Sequence, residues 1–166
     1  MYIGLHWVND LPRTLTHIRK LLKPDGVFIG SIIGGSTLSE LKRSFYLAGL
    51  ERKGGMSYHL SPMVRASDVA GLLQGAGFSL PTIDVDTIQV GYPNAMVLME
   101  HLQGMGENTA FLQRQYNVGK DTMLAMAAIY QELYGEDGVI PATYQVIHMI
   151  GWSPHDTQQQ PMKRGS

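Results

Sequence analysis

Two pairs of side chains in this sequence have types and spacing suited to chemistry. His6 and Trp7 are adjacent, and an imidazole beside an indole N–H can hold a carboxylate, while the indole can also stack on a guanidinium. Asp84 and Asp86 alternate along an apolar stretch, so both carboxylates lie on one face of a strand, where they can act as acid and base or bind a guanidinium. The alternative for each pair is structural: Trp7 anchors the core, His6 lies at the surface or caps a helix, and the aspartates face water.

Two tyrosines complete the set of candidate substrate-binding residues. Tyr92 ends the stretch that carries the aspartates, and Tyr144 lies in the last apolar stretch of the chain. Both are more typical of packing residues whose hydroxyls find a hydrogen-bond partner. The sequence therefore offers binding candidates but assigns no catalytic residue.

Metal and sulfur chemistry have no support in the sequence. There is no cysteine, which excludes thiolate catalysis and cysteine-ligated metals. None of the six histidines stands two residues from another histidine or from an aspartate, the spacing that would suggest a non-haem iron site. The sequence therefore predicts no metal site.

Composition and charge limit the class of protein. With 166 residues, 44% of them hydrophobic, the chain can build a folded core. A net charge of -1 gives no basic field for a nucleic-acid partner. No apolar run approaches the roughly 20 residues of a transmembrane helix, and the first residues lack the features of a signal or transit peptide.

The apolar pattern alternates between helical and strand periodicity. The spacing over residues 11–22 predicts a helix capped by Asn9 or Asp10, and the run over 27–33 predicts a strand buried on both faces, as in a parallel sheet. Thr37 to Glu40 has the capping-box pattern at the start of a second helix.

The second half of the chain repeats this alternation. Helices are predicted to begin at Ser67, Asn94 and Asp121, strands are predicted over 83–90 and 143–152, and residues 51–63 have the composition of a loop. The order predicts an α/β fold with helices covering a sheet. We expect a partial domain over residues 1–152 and a mobile polar tail over 153–166.

One family resemblance rests on two motifs near the start. Residues 5–10, Leu-His-Trp-Val-Asn-Asp, and residues 22–28, Leu-Lys-Pro-Asp-Gly-Val-Phe, resemble the segment after the fourth strand of Rossmann-like class I S-adenosylmethionine-dependent methyltransferases. The resemblance implies the C-terminal half of that fold, with helices on both faces of the sheet. Residues 2–5 would be a stub of the fourth strand, so the chain is expected to be truncated at its N-terminus.

Later motifs narrow the resemblance to two related families. Residues 34–41, 104–107, 121–124 and 141–145 are similar to motifs of the malonyl-carrier-protein methyltransferase of biotin synthesis and of the mitochondrial complex I assembly factor 5 family. The tail is similar to the extension of the assembly factors, through Ile150-Gly151-Trp152, His155, Gln158, Pro161 and Arg164-Gly165-Ser166. The assembly-factor family is therefore the better match.

That resemblance implies a function, a partner and a location. It implies assembly of NADH:ubiquinone oxidoreductase, hydroxylation of an arginine in one of its subunits, and a partner that is such a subunit or an assembly intermediate. It implies S-adenosylmethionine as the family's cofactor, and the mitochondrial matrix as the location, with peripheral association at the matrix face of the inner membrane.

The sequence departs from the fold's pattern in one respect and leaves two alternatives open. Families of this fold carry a glycine-rich loop after their first strand and an acid at the end of their second, and neither is present here. One alternative is an S-adenosylmethionine-dependent O-methyltransferase of the malonyl-carrier-protein type. The other is a truncated, catalytically silent chain that only binds partners, so the sequence leaves enzymatic activity undecided.

Overall fold

The described part of the chain contains three strands and five α-helices in an α/β arrangement. The computed structural model describes residues 5–53, 63–106 and 119–159. The strands form one antiparallel sheet in the order β1-β3-β2, which confirms the predicted fold class. After a 3-10 turn at Leu5–Trp7, the elements are α1 (Leu11–Leu21), β1 (Val27–Ile33), α2 (Ser39–Lys53), α3 (Ala66–Gly75), β2 (Ser79–Tyr92), α4 (Ala95–Gly104), α5 (Lys120–Tyr134) and β3 (Ile140–Trp152).

The surroundings of β1 differ from the prediction. The expected parallel strand is antiparallel to β3, and Val27 and Ile29 are 40% and 63% exposed. Only the second half of the strand is buried. A continuous apolar run indicates a strand, but it does not show which of its faces another element covers.

The chain divides into two compact units. The first comprises Met1–Ile32, Val64–Asp86 and Val146–Ser166. Its core packs the apolar faces of α1 and α3 against alternate residues of the strands. The buried members are Leu15, Ile32, Val69, Leu73, Ala76, Phe78, Ile147 and Met149.

Local signals set the ends of the helices in the first unit. Asp10 caps α1 by accepting a hydrogen bond from the Arg13 backbone N–H at 3.0 Å, as one of the two predicted caps. Gly77 follows α3 with a φ of +87°, and the next N–H, from Phe78, donates to the carbonyl of Leu73 at 3.1 Å. Glycine is favoured in this left-handed conformation, which lets the chain leave the helix and enter β2.

The second unit comprises Ile33–Met63 and Thr87–Gln145. Asn94 caps α4 as predicted, since its side chain accepts hydrogen bonds from the backbone N–H groups of Met96 and Val97. The core packs α2, α4 and α5 together with the strand ends of this unit. Its buried members are Leu38, Leu41, Phe45, Ala48, Tyr92, Ala95, Leu98, Leu102, Ala125, Met126, Tyr130, Ile140 and Ala142.

The predicted capping box at Thr37 to Glu40 is wrong. Thr37 Oγ1 donates to the Gln145 carbonyl at 3.2 Å and accepts from the Gln145 N–H at 2.9 Å. The Glu40 carboxylate accepts from the Thr143 backbone N–H at 3.3 Å and from the Thr143 hydroxyl. Both side chains therefore bind β3, whose polar groups compete with the local capping pattern.

Two further expectations are corrected at the ends of elements. Residues 51–53, predicted as loop, continue α2, whereas 54–62 lie outside the described residues. The first part of the tail, expected to be mobile, is hydrogen-bonded. Gln158 Nε2 donates at 2.8 Å both to Asp25 Oδ1 and to the Ser153 carbonyl, and its Oε1 accepts from the Ser79 hydroxyl.

Candidate functional site

A chain of three polar side chains crosses the sheet in the first unit. Ser31 on β1 bonds through Oγ to His148 Nδ1 on β3 at 2.8 Å. His148 Nε2 lies 3.2 Å from Asp86 Oδ2 on β2. Because neighbouring residues of a strand face opposite ways, the three side chains lie on the other face from the core residues Ile32 and Ile147.

Exposure increases along this Ser31–His148–Asp86 chain. Ser31 is 1% exposed, the His148 side chain 31% and the Asp86 side chain 63%. A buried serine hydroxyl is not accessible as a nucleophile, so a serine-hydrolase function is not supported despite the residue types. The exposed end is a carboxylate, and a carboxylate oriented by a histidine is suited to binding a cation.

The two predicted aspartates are not equivalent. Asp84 Oδ1 accepts a hydrogen bond from the backbone N–H of the next residue, Val85, at 3.0 Å. Asp86 instead reaches across to His148. The arrangement therefore favours Asp86 over Asp84 as the carboxylate positioned to bind a cationic ligand.

The structure places His6 and Trp7 in the 3-10 turn Leu5–Trp7. Their ring centroids are 5.3 Å apart with planes tilted by 43°. Leu5 of the same turn packs against the first unit's core, whereas Trp7 is 46% exposed. Trp7 is therefore a surface aromatic and not a core anchor. Of the predicted strand stub at 2–5, Leu5 begins the 3-10 turn, and residues 2–4 lie outside the described residues.

The second unit brings Tyr92 and Tyr144 together. Their hydroxyl oxygens are 3.2 Å apart, and the ring of His101 meets Tyr92 edge-on at 5.5 Å between centroids. Burial raises the pKa of Tyr144, and its hydrogen bond with Tyr92 raises it further. The prediction that these hydroxyls find partners is confirmed, and they find each other.

Tyr130 lies in the same unit and was not among the predicted residues. Its hydroxyl donates to the Pro141 carbonyl at 2.7 Å, and it is fully buried. Burial raises its pKa, with smaller contributions from the charge of Glu40 and from neighbouring tyrosines. Tyr130 and Tyr144 therefore stay protonated, and with Tyr92 they form a tyrosine cluster that contributes hydrogen bonds and apolar contacts inside the second unit.

The glycine turn after β1 does not fit S-adenosylmethionine. A Cβ at Gly34 would overlap the side chain of Gln145, so the space beside this glycine is already filled by protein. The Gly34 N–H donates to the Gln145 carbonyl at 2.8 Å and is not directed at a ligand. The residues of this turn therefore do not form a site for S-adenosylmethionine. Within the described ranges, no three histidine, aspartate or glutamate residues are grouped to hold a metal ion.

Sequence reasoning missed His148 and Ser31. They are separated by 117 residues and meet only because β1 and β3 are neighbours in the sheet. The sequence contains one signal that could have identified them: Ser31 and His148 are each a polar residue within an apolar strand pattern.

Comparison with known proteins gives matches along nearly the whole chain. No family model matches it. Over 165 residues, 99% of this chain and 51% of the relative, it is 53% identical to the mitochondrial arginine-hydroxylase NDUFAF5 of Danio rerio. The predicted family resemblance is confirmed. The chain spans about half the length of the NDUFAF5 relatives it matches.

Two more distant matches agree with the predicted methyltransferase-like fold. The malonyl-[acyl-carrier protein] O-methyltransferase of Gallionella capsiferriformans is 29% identical over 153 residues, 92% of this chain and 50% of that enzyme. The crystal structure of a candidate methyltransferase from Bacillus halodurans aligns with a TM-score of 0.54 at 16% identity, covering 92% of this chain and 67% of that one. At that identity the structural match shows the fold alone. Among the described helices, none has the length and apolar content to cross a membrane.

Proposed function

We propose that this chain takes part in NDUFAF5-type arginine hydroxylation during the assembly of mitochondrial complex I, and that it contributes to recognition of the substrate arginine. The observation that carries the proposal is the 53% identity over 99% of the chain to a relative named as an arginine-hydroxylase. The partner is then a complex I subunit or an assembly intermediate. The location is the mitochondrial matrix, at the matrix face of the inner membrane.

The geometry of Asp86 supports a role in arginine recognition. His148 Nε2 contacts Oδ2 of Asp86, and the other carboxylate oxygen, Oδ1, can accept a hydrogen bond from a bound ligand. A guanidinium carries five N–H donors in a planar fork and binds carboxylates through charge-assisted hydrogen bonds. Trp7, also in the first unit and half exposed, offers a surface on which a guanidinium can stack.

Methylation of a carboxylate is the second candidate function. It is favoured by the similarity to a malonyl-[acyl-carrier protein] O-methyltransferase over 92% of the chain. In that case His6 and Trp7 would hold the acceptor carboxylate. S-adenosylmethionine would be the methyl donor, although the turn at Gly34 offers no cradle for it.

The activity is tested in cells that lack their own NDUFAF5 and express this chain, with its level followed by immunoblot. Mass spectrometry of complex I subunits then distinguishes the products, because hydroxylation adds about 16 Da to an arginine and methylation about 14 Da to a carboxylate. Asp86→Asn should reduce the hydroxylation, whereas Asp137→Asn, at another exposed aspartate, should not. Methylation without hydroxylation would support the second candidate, and an abundant chain with neither product would leave only a binding role.

A direct binding test complements the cell assay. The purified chain is titrated with an arginine-containing peptide and with the same peptide carrying citrulline, which keeps the shape but lacks the charge. We expect the arginine peptide to bind more tightly and Asp86→Asn to remove the difference. Equal affinity for both peptides would contradict a role of Asp86 in recognition.

A further inference from the structure

The groups at the two ends of the Ser31–His148–Asp86 chain determine where its protons lie. Ser31 Oγ and His148 Nδ1 are 2.8 Å apart, and His148 Nε2 is 3.2 Å from Asp86 Oδ2. A neutral imidazole carries one N–H, so one ring nitrogen donates a hydrogen bond and the other accepts one. His148 therefore has two possible tautomers, and the hydrogen-bond network decides between them.

The carboxylate end requires a proton on Nε2. Surface carboxylates are ionised at neutral pH, and they accept hydrogen bonds without donating any. In the Nδ1–H tautomer, a lone pair of His148 Nε2 would face the lone pairs of Asp86 Oδ2 across 3.2 Å, which is repulsive. In the Nε2–H tautomer, the same contact is a hydrogen bond to a charged acceptor, which is the stronger class of hydrogen bond.

The serine end gives the same assignment independently. Ser31 is buried, and within the described residues its hydroxyl has no partner other than His148 Nδ1. If Nδ1 carried the proton, Ser31 Oγ would accept it, and the O–H of the serine would be left without an acceptor in a buried position, which is costly. With the proton on Nε2, the Ser31 O–H donates to the lone pair of Nδ1 and this cost is avoided.

We propose that Ser31 is a positioning residue for Asp86. Its hydroxyl donates to His148 Nδ1 and holds the ring in the Nε2–H tautomer, and the Nε2–H then fixes Oδ2 of Asp86. The other oxygen, Oδ1, is thereby oriented to accept from a cationic ligand. The proposal rests on the proposed function only for the identity of that cation, the substrate arginine.

The order of the ring nitrogens distinguishes this arrangement from that of a serine hydrolase. In the Ser-His-Asp arrangement of hydrolases, the carboxylate accepts from Nδ1–H, and Nε2 takes the proton of the serine. Here the contacts are reversed, with Ser31 on Nδ1 and Asp86 on Nε2. The buried serine therefore orients the imidazole and does not act as a nucleophile.

Nitrogen-15 NMR of the full 166-residue chain measures the tautomer directly. Long-range proton–nitrogen correlation spectra distinguish protonated from unprotonated ring nitrogens, and they are recorded at about pH 9, where imidazole side chains are ordinarily neutral. The signals of His148 are those that His148→Gln removes. We expect the Nε2–H tautomer in the wild-type chain.

The contribution of the serine is isolated in an Asp86→Asn background. The amide of asparagine both donates and accepts, so it can bond to either tautomer of His148. We expect Asp86→Asn to retain the Nε2–H form, because the Ser31 hydroxyl is still present. Adding Ser31→Ala should lower the ratio of the Nε2–H to the Nδ1–H form about threefold or more. Adding Ser31→Thr instead, which keeps a hydroxyl, should preserve the Nε2–H form.

Ser44→Ala is the matched control. Ser44 is also buried, but its hydroxyl donates to the Glu40 carbonyl at 2.9 Å in the second unit. This variant should leave the tautomer ratio of His148 unchanged, whereas a general effect of removing a buried hydroxyl would appear in both serine variants. Circular dichroism confirms that each variant is folded.

The arginine and citrulline peptides measure the consequence for binding. With Asp86 intact, we expect Ser31→Ala to reduce the preference for the arginine peptide about threefold or more, because Asp86 is then held less firmly. Ser44→Ala should leave that preference unchanged. An unchanged preference in Ser31→Ala would overturn the positioning role.

The spectra distinguish failure of this proposal from failure of the proposed function. A dominant Nδ1–H form in the wild-type chain would overturn the positioning role, and so would an equal tautomer ratio with and without the Ser31 hydroxyl. The expected spectra from a chain that binds both peptides equally would support the assignment of Ser31 and would overturn arginine recognition by Asp86.

Discussion

Glu40, at the start of α2, is bound twice by Thr143 of β3. Its carboxylate accepts from the Thr143 backbone N–H at 3.3 Å and from the Thr143 hydroxyl, and Glu40 is only 7% exposed. A buried carboxylate requires such donors, because its charge would otherwise be costly to remove from water. This pair therefore fixes the first turn of α2 to the strand that lies at the centre of the sheet.

Replacing Glu40 should destabilise the protein. Glu40→Ala leaves the Thr143 N–H without its acceptor, and we expect a loss of about 1–3 kcal/mol in the free energy of unfolding, measured by urea titration. Glu40→Gln retains one acceptor oxygen and should lose less. Glu100→Ala, at an exposed position on α4, is the control and should change the stability by about 0.5 kcal/mol or less. Equal losses for the buried and exposed sites would contradict the role of this pair.

Ser31 and His148 should be energetically coupled. His148→Ala leaves the buried Ser31 hydroxyl without its 2.8 Å partner, and Ser31→Ala removes the hydroxyl itself. In a double-mutant cycle we expect the double variant to lose less than the sum of the single variants, with a coupling energy of about 0.5–1.5 kcal/mol. Additive losses would show that the contact does not contribute to stability.

The tyrosine cluster should make the fold sensitive to alkali. Burial raises the pKa of Tyr144 and of Tyr130, so these phenols ionise at about pH 10 in the unfolded chain but stay protonated in the folded one. The unfolded state then binds fewer protons, and stability falls as the pH rises above about 10. Tyr144→Phe should lessen this fall, which urea titrations at several pH values would measure. A fall of unchanged steepness would contradict the prediction.

Two glycines should respond in opposite ways to alanine. A Cβ at Gly151 on β3 would lie 2.9 Å from the ring of Phe78, a buried residue of the first unit's core. We expect Gly151→Ala to cost about 1–3 kcal/mol through overpacking. Gly71, within α3, has open space at the same position, and Gly71→Ala should be neutral or stabilising by up to about 1 kcal/mol, because alanine favours helix. Thermal melts of both variants provide the comparison.

Local sequence signals predicted the elements well. Asn94 before α4 and Gly77 after α3 act within a few residues of their own position, so their effects can be deduced from the neighbouring sequence. The antiparallel arrangement of β1 could not be deduced in this way. An apolar run predicts a strand, but it does not show whether the neighbouring strand is parallel or antiparallel to it.

The candidate site could be predicted only in part. The sequence predicts Asp86 as one of a pair with Asp84, but the side chain that it contacts in the structure, His148, lies 62 positions further along the chain. Thr37 and Glu40 matched a local cap, yet both bind residues more than 100 positions away. A polar side chain can bond to any partner that the fold places beside it, so its partner can be predicted only when the register of the strands is known.

The anchoring of Gln158 has a consequence for the design of shortened versions of this protein. Its side-chain amide joins the exit of β3 to the turn before β1, through Asp25, and to the start of β2, through Ser79. A shortened chain that ends directly after Trp152 would lose these hydrogen bonds. It would also lose the Ser153 N–H, which donates to the Gly26 carbonyl at 2.7 Å. An affinity tag is better joined beyond residue 159, because the hydrogen bonds of Gln158 are then kept.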